Sequence, residues 1–250
     1  MPAVRPSEFT VWQGRGWRVV EAQHRVATMK LADTLDDQAV LESLIEASKP
    51  PLPAACQHLD YLLAAPFRYR PYPHGSRFRR AGLTPGVFYA AEKVDTALAE
   101  AAFYRLLFFA ESPATPMPRA PFEVSAFAVA LGTSALLDLM APPYAEQSAH
   151  WTRLTDYSKT QALEGEARAA GAQIIRYQSC RCPKRGANLA VLDCAAFAKS
   201  APVARQSWWL NISHSHVQAR CEHPDRALEF ARDGFAADPR LAAYATAPRA

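Results

Sequence analysis

The pattern of apolar and polar positions changes type along the chain. Trp17-Arg18-Val19-Val20-Glu21-Ala22 has the apolar, branched character of a short strand. Asp33 or Thr34 can cap the helix that follows, with Asp36 and Asp37 near its positive end. Leu35, Ala39, Leu41, Leu44 and Ile45 give that helix an apolar face, and Pro50, Pro51 and Pro53 stop it. Beyond residue 60, strand-like and helix-like segments alternate. Pro66 to Tyr69 and Gly86-Val87-Phe88-Tyr89-Ala90 read as extended, and Asp95 opens a helix through Ala110. Phe122 to Leu131 predicts a strand with Val124, Ala126, Ala128 and Ala130 on one face. Tyr157 to Ala170 predicts a helix ended by Gly171. Gln173 to Tyr177 and Asn188 to Leu192 read as two buried strands joined by a basic loop, and Gln206 to Ser213 as another. The pattern is that of a mixed α/β domain without internal repeats.

Composition narrows the function classes. The chain has 250 residues, 50% apolar and 21% charged, enough to bury a core and too apolar for a disordered chain. A net charge of +4, from 28 basic and 24 acidic residues, is too small for a generic polyanion binder. Ten glycines against 20 prolines argue against repeat and Gly-rich phosphate-loop architectures. The longest apolar tract, Val124 to Leu137, is interrupted by Gly132, Thr133 and Ser134 and falls short of the roughly 20 residues a bilayer span needs. The first residues lack the apolar core of a signal peptide. Five cysteines, an odd number, predict no disulfide framework and a reducing, cytoplasmic setting.

Three features carry chemistry. Phe67 to Arg80 holds five arginines (Arg68, Arg70, Arg77, Arg79, Arg80) and no acid, the nearest being Asp60 and Glu92. Uncompensated arginines among aromatics suit an anionic, planar ligand, since a guanidinium fork binds phosphate in bidentate fashion and stacks on rings. A solvated basic loop accounts for the same composition equally well, and a nucleic-acid patch less well. Glu100 is the second: it interrupts a helix otherwise small or apolar on every side, where a carboxylate must be paired or used. The plain alternative pairs it with an arginine, Arg105 or one from the basic loop. The third is Tyr177-Gln178-Ser179-Cys180-Arg181-Cys182-Pro183, a polar turn after an apolar strand, followed by Gly186-Ala187-Asn188. Strand ends are where ligands meet α/β domains. No Gly-x-Ser-x-Gly elbow, Walker A lysine or complete Gly-x-Gly-x-x-Gly is present. His214, His216, Cys221 and His223 match no strong zinc spacing, so no metal is expected. Trp208-Trp209 reads as core or an aromatic edge.

In order and spacing, these pieces resemble the RES domain, a toxin-type family named for its arginine, glutamate and serine. The run is Phe67-Arg68-Tyr69, Gly75-Ser76-Arg77-Phe78, Gly86-Val87-Phe88-Tyr89, Thr96-Ala97-Leu98-Ala99-Glu100, Tyr177-Gln178-Ser179 and Gly186-Ala187-Asn188-Leu189. At Phe78-Arg79 the chain departs from the Trp-Asn of many members. The resemblance spans roughly residues 60 to 220. It implies an N-terminal extension over 1–55, a RES domain over 56–235 and a tail over 236–250. The implied fold is mixed α+β, with an ADP-ribosyltransferase-like sheet flanked by helices and a helical N-terminal extension. The implied activity is cleavage of the nicotinamide–ribose bond of NAD+, by phosphorolysis or hydrolysis, in the toxin of a type II toxin–antitoxin pair. NAD+ is then substrate rather than cofactor, with inorganic phosphate as co-substrate of the phosphorolytic reaction. The implied partner is a small Xre-like helix-turn-helix antitoxin, with no membrane and no direct nucleic-acid contact.

The resemblance also assigns residues. Glu100 would stabilise positive charge at the ribose carbon, and Arg68 and Arg77 would hold the pyrophosphate or incoming phosphate. Tyr89 or Tyr69 would stack on nicotinamide, Ser179 would orient the amide or ribose, and Asn188 would add a further contact. Three alternatives stay open at this level: ADP-ribosyl transfer to protein, non-catalytic nucleotide or nucleic-acid binding in the same cleft, and an interaction module whose basic loop docks an acidic partner.

Overall fold

The structure, a computed structural model, describes residues 4–21, 26–29, 31–69, 71 and 73–245. Arg70 and Tyr72 of the arginine-rich run lie outside the described residues. In chain order the strands are β1 (Thr10–Glu21), β2 (Phe88–Ala91), β3 (Phe122–Asp138), β4 (Ile174–Gln178), β5 (Ala187–Val191), β6 (Ala204–Ile212), β7 (His216–Cys221) and β8 (Arg226–Ala231). The helices are α1 (Val26–Met29), α2 (Leu35–Ser48), α3 (Tyr61–Arg68), α4 (Val94–Glu111), α5 (Ser148–Trp151), α6 (Ser158–Ala169) and α7 (Pro239–Ala245). The mixed α/β class expected from the sequence is the class found.

One strand organises the sheet. The 17 residues of β3 extend well past the expected end at Leu131. Along one edge, β3 pairs antiparallel with β1 for nearly the whole of β1, from Thr10↔Leu136 to Glu21↔Val124. Its other edge is shared: residues 122–128 pair antiparallel with β6, and 136–138 pair parallel with β4. The strand order β1-β2-β5-β4-β3 therefore returns to β1 and closes a ring of five, while β6-β7-β8 continue outward from β3 as an antiparallel meander. Closure removes the exposed edge that an open sheet would leave on β1.

The two faces of β3 feed different cores. Val124 and Ala126 pack with α4, Trp208 and Val217, whereas Phe127, Val129 and Leu131 pack with Phe88, Leu189 and Val191. Neither face is left to solvent, so the strand is apolar on both faces where the sequence reading placed a single apolar face. A further cluster, including Phe78, Leu163 and Ile175, lies against α6.

α4 is the central helix, packing against β1, β2, β5, β7, β8 and α7. Its buried residues, among them Leu98, Ala102, Phe103, Leu106 and Phe109, lie on several sides, as its apolar composition requires. α6 forms as expected, and Gly171 after it takes φ of 92°, the left-handed conformation that glycine adopts without a Cβ penalty.

Three expectations need correction. First, Pro66 to Tyr69 is not extended, because α3 runs through Arg68 with Pro66 inside it. Asp60 caps the helix by accepting a bond from Leu62 N at 2.9 Å, and Leu63 and Ala64 bury beneath it. In so short a helix the proline forfeits only one backbone hydrogen bond. Gly86 then passes so close that a Cβ there would stand 1.8 Å from the Pro66 carbonyl oxygen. Second, α2 forms with Thr34 as its cap, accepting from Asp37 N at 3.1 Å, but its apolar face is not covered. Leu35 and Leu44 are 74% and 63% exposed, although α1 and Arg68 of α3 touch α2 elsewhere. Third, Cys56 and Cys194 form a disulfide despite the odd cysteine count, leaving Cys180, Cys182 and Cys221 as thiols. The pair joins the turn before α3 to the turn after β5, 138 residues apart, within the barrel-side core. No helix among the described residues is long and apolar enough to cross a membrane.

The disulfide closes a long loop of the unfolded chain, so Cys56→Ser lowers the free energy of unfolding by about 2–4 kcal/mol in unreduced protein, read by urea titration. A proteolytic digest without reductant yields the Cys56 and Cys194 peptides joined, and they separate on reduction.

Candidate active site

A cavity of about 750 Å³ opens between α4, the closed part of the sheet and the loops around Ser76 and Cys180. The cavity face of α4 carries Ala97, Glu100, Ala101, Tyr104, Arg105 and Phe108, which recur at intervals of three and four residues (97, 101, 104, 108 and 97, 100, 104, 108) with Arg105 beside them, as one stripe of a helix. Small residues at 97 and 101 leave room around the one acid of that stripe.

Glu100 is held by neutral donors. Ser179 Oγ donates to its Oε1 at 2.6 Å and Asn188 Nδ2 donates to the same oxygen at 2.7 Å. Ser179 lies just past β4 and Asn188 on β5, and the Tyr177↔Asn188 pairing brings the two strands side by side beneath α4. Ser179 has no freedom to turn away. Its Oγ accepts from Cys182 N at 2.9 Å and from Arg181 N at 3.2 Å, so its one proton goes to Glu100. Oε2 of Glu100 accepts no hydrogen bond among the described residues and remains for a ligand. The expected arginine partner of Glu100 is absent there: Arg105 pairs with Glu21 instead.

The arginine-rich segment reaches the cavity through a tight turn. Ser76 and Arg79 exchange backbone bonds of 2.8 and 3.1 Å. The Tyr89 hydroxyl braces the turn, 2.9 Å from Ser76 Oγ and accepting from Phe78 N at 3.1 Å, and Gln161 donates to both Ser76 O and Arg79 O. Phe78 is fully buried, so Arg77 and Arg79 on either side face the cavity. Arg77 donates to Trp151 O at 2.6 Å and its guanidinium carbon stands 4.8 Å over the Tyr157 ring. Burial raises the Tyr89 phenol above its ordinary pKa, and raises Tyr177 well above it with a further push from the charge of Glu100. Burial likewise raises the Cys180 thiol against the opposing pull of Arg77. These tyrosines are rings and neutral hydrogen-bonding groups, not proton carriers, at neutral pH.

The structure thus gathers Glu100, Arg77, Tyr89 and Asn188 into one wall. It does not bring Arg68 or Tyr69 there. Arg68 ends α3 and points back at α2, with Nη1 2.6 Å from Glu46 and Nε 2.5 Å from Pro50 O, because the helix through Pro66 turns it away from the cavity. Tyr69 is half exposed beyond that helix. Ser179 lies behind Glu100 rather than in the wall, and its contacts are with the carboxylate and the loop.

Sequence reading missed other members of the wall, Arg18 and Trp17 from β1 and Tyr157 before α6, and gave no role to Tyr177, which it named only within its motif. A charge inside the apolar run Trp17 to Val20 was the signal for Arg18. In all, five arginines, two glutamates and six aromatic residues line the cavity, a balance that favours an anionic ligand with a planar part. Among them, Arg105 is paired with Glu21 and Arg181 with Asp238.

The family model of the RES domain matches residues 51–213, more than half of the chain. Glu100, Arg77, Tyr89, Ser179 and Asn188 all fall inside that match, whereas β1 and α7 lie outside it. No curated protein matches the chain. Among solved structures, the chain is similar to one in the crystal structure of the M. tuberculosis MbcT–MbcA toxin–antitoxin complex, at 14% identity and a TM-score of 0.45, over 96% of this chain and 91% of that one.

Ser179→Ala removes a donor from Glu100 and strands two backbone amides. It is expected to cost about 1–3 kcal/mol of stability, measured by urea unfolding. Ser179→Cys, which keeps a weak donor and acceptor, should lose less.

Proposed function

The chain belongs to the RES-domain family, and we propose that it cleaves the nicotinamide–ribose bond of NAD+ as the toxin of a toxin–antitoxin pair. One observation carries the reading: a carboxylate oxygen of Glu100, fixed in place through its twin by Ser179 and Asn188, faces the same cavity as Arg77 and the Tyr89 ring.

The chemistry asks for such a site. As the C–N bond breaks, its electron pair returns to the pyridinium nitrogen, which leaves as neutral nicotinamide and needs no acid. Positive charge develops on the ribose, and an anion held beside it is worth more in the transition state than in the ground state. Glu100 Oε2 accepts from a ribose hydroxyl and lies against that charge. Arg77, stacked on Tyr157 and anchored to Trp151 O, presents its remaining donors to the diphosphate. The Tyr89 hydroxyl is taken up by the turn, so Tyr89 offers its ring face, suited to the planar nicotinamide. Ser179 and Asn188 act through Glu100, which distinguishes them from the direct NAD+ contacts expected of them. Attack by phosphate on the ribose carbon gives ADP-ribose 1''-phosphate, and attack by water gives ADP-ribose and a proton. The antitoxin that this reading implies blocks turnover by covering the cavity.

Purified protein incubated with NAD+, with and without inorganic phosphate, is expected to release nicotinamide, with the second product identified by mass spectrometry. Glu100→Gln keeps the size and the Ser179 and Asn188 neighbours but removes the charge, and should lower kcat by about 10²–10³-fold. NAD+ left intact by the wild-type protein in both conditions overturns the reading.

A further inference from the structure

The charge of Glu100 is left uncancelled although an arginine stands beside its donors. Arg181 follows Ser179 by two residues, and its backbone N–H donates at 3.2 Å to the same Ser179 Oγ that donates to Glu100 at 2.6 Å. The Arg181 backbone is thus two hydrogen bonds from the carboxylate, a shorter span than an extended arginine side chain. Both residues line the cavity. An opposite charge at contact attracts more strongly than a neutral donor, so charge alone draws this guanidinium towards Glu100. It lies elsewhere. Nη1 pairs with Asp238 at 2.8 Å, Nη2 donates to Leu154 O at 3.0 Å, and the guanidinium carbon stands 3.9 Å over the Phe103 ring. Of these three contacts only Asp238 supplies a negative charge.

Asp238 is itself held firmly. Its backbone oxygen accepts from Leu241 N at 3.1 Å and Ala242 N at 3.0 Å, which starts α7. Arg240 grips the carboxylate through Nε at 3.0 Å and Nη2 at 2.9 Å. Burial acts to raise the Asp238 carboxyl, but hydrogen bonds from Arg240 and the charges of Arg181 and Arg240 outweigh it and hold the pKa below its ordinary value. Asp238 is therefore ionised at neutral pH. The side chains of the Arg181–Asp238 pair are 4% and 1% exposed, so water does not stand in for either partner if the other is removed. A released Arg181 then needs another acid. Of the two glutamates in the cavity wall, Glu21 is paired with Arg105, which leaves Glu100.

We propose that Asp238 is a positioning residue of the site: it is the counterion that holds Arg181 away from Glu100 and so keeps the Glu100 charge free for the ligand. Asp238 lies outside the residues matched by the family model and does not line the cavity, so it acts through Arg181 alone. The inference rests on the NAD+ reading for its effect on turnover, but its structural readout does not.

The full-length protein is compared as wild type, Asp238→Asn and the double variant Asp238→Asn with Arg181→Gln, by crystal structure, thermal melting and nicotinamide release from NAD+. Asp238→Asn keeps the size and an acceptor oxygen but removes the charge. It is expected to fold, because Arg181 finds a replacement partner, and its crystal structure should show the guanidinium within hydrogen-bonding distance of Glu100. With that carboxylate paired, kcat should fall about tenfold or more. The double variant lacks the released cation and should recover the larger part of this loss, which loosening of the loop alone does not predict. Three outcomes overturn the inference: Asp238→Asn fails to fold, Arg181 stays over Phe103 in its structure, or the double variant is no more active than Asp238→Asn. If Arg181 moves onto Glu100 in Asp238→Asn while wild type leaves NAD+ intact, the proposed reaction fails and this assignment stands. If wild type and Asp238→Asn cleave NAD+ with the same kcat, the assignment fails and the reaction stands.

Discussion

The two hydrogen bonds from Ser179 and Asn188 to one oxygen of Glu100 tie the molecule together at its centre. They join the middle of the central helix to two adjacent strands and orient the only acid that α4 presents to the cavity. A carboxylate in this position needs donors to offset its lost hydration, and a pair of neutral donors supplies them without an opposing charge. An arginine partner would have satisfied the same need and cancelled the charge. The use of a hydroxyl and an amide keeps the site's negative charge available to a ligand.

That arrangement depends on the closed ring of strands. β4 and β5 carry Ser179 and Asn188 to α4 only because β5 also pairs with β2, and β2 with β1. β1 then reaches back along β3 and places Arg18 in the cavity wall. Closing the barrel and building the cavity are one event: the strand that removes the free edge also brings a cation to the cavity wall. The disulfide between Cys56 and Cys194 reinforces this side of the fold, tying the entry to α3 to the exit from β5.

The arginines divide by partner. Arg168, Arg176 and Arg181 meet carboxylates and hold elements together, whereas Arg18 and Arg77 face the cavity with no carboxylate partner among the described residues. Arg181 links the Ser179 loop to Asp238 at the start of α7, and its guanidinium lies 3.9 Å over the Phe103 ring. Residues well past the matched family region therefore help to hold the loop that orients Glu100.

The sequence by itself determined the local elements and the identity of the acid. α2, α4 and α6 were legible because capping residues, apolar spacing and a terminal glycine act within a few residues, and Glu100 was legible because a charge in an apolar helix is conspicuous without any partner in view. The grouping of Glu100 with Arg77, Tyr89, Ser179 and Asn188 came from resemblance, not from spacing. Tertiary structure alone decided which arginines line the cavity. Arg68 and Arg77 look alike in a list of basic residues, but a helix running through Pro66 sends one to Glu46 and a braced turn sends the other to the cavity. Arg18 enters through pairing between strands more than 100 residues apart, and the Cys56–Cys194 bond has the same origin. No local pattern encodes such contacts, since they follow from how the sheet closes, and it is closure that fixes which side chains share a wall.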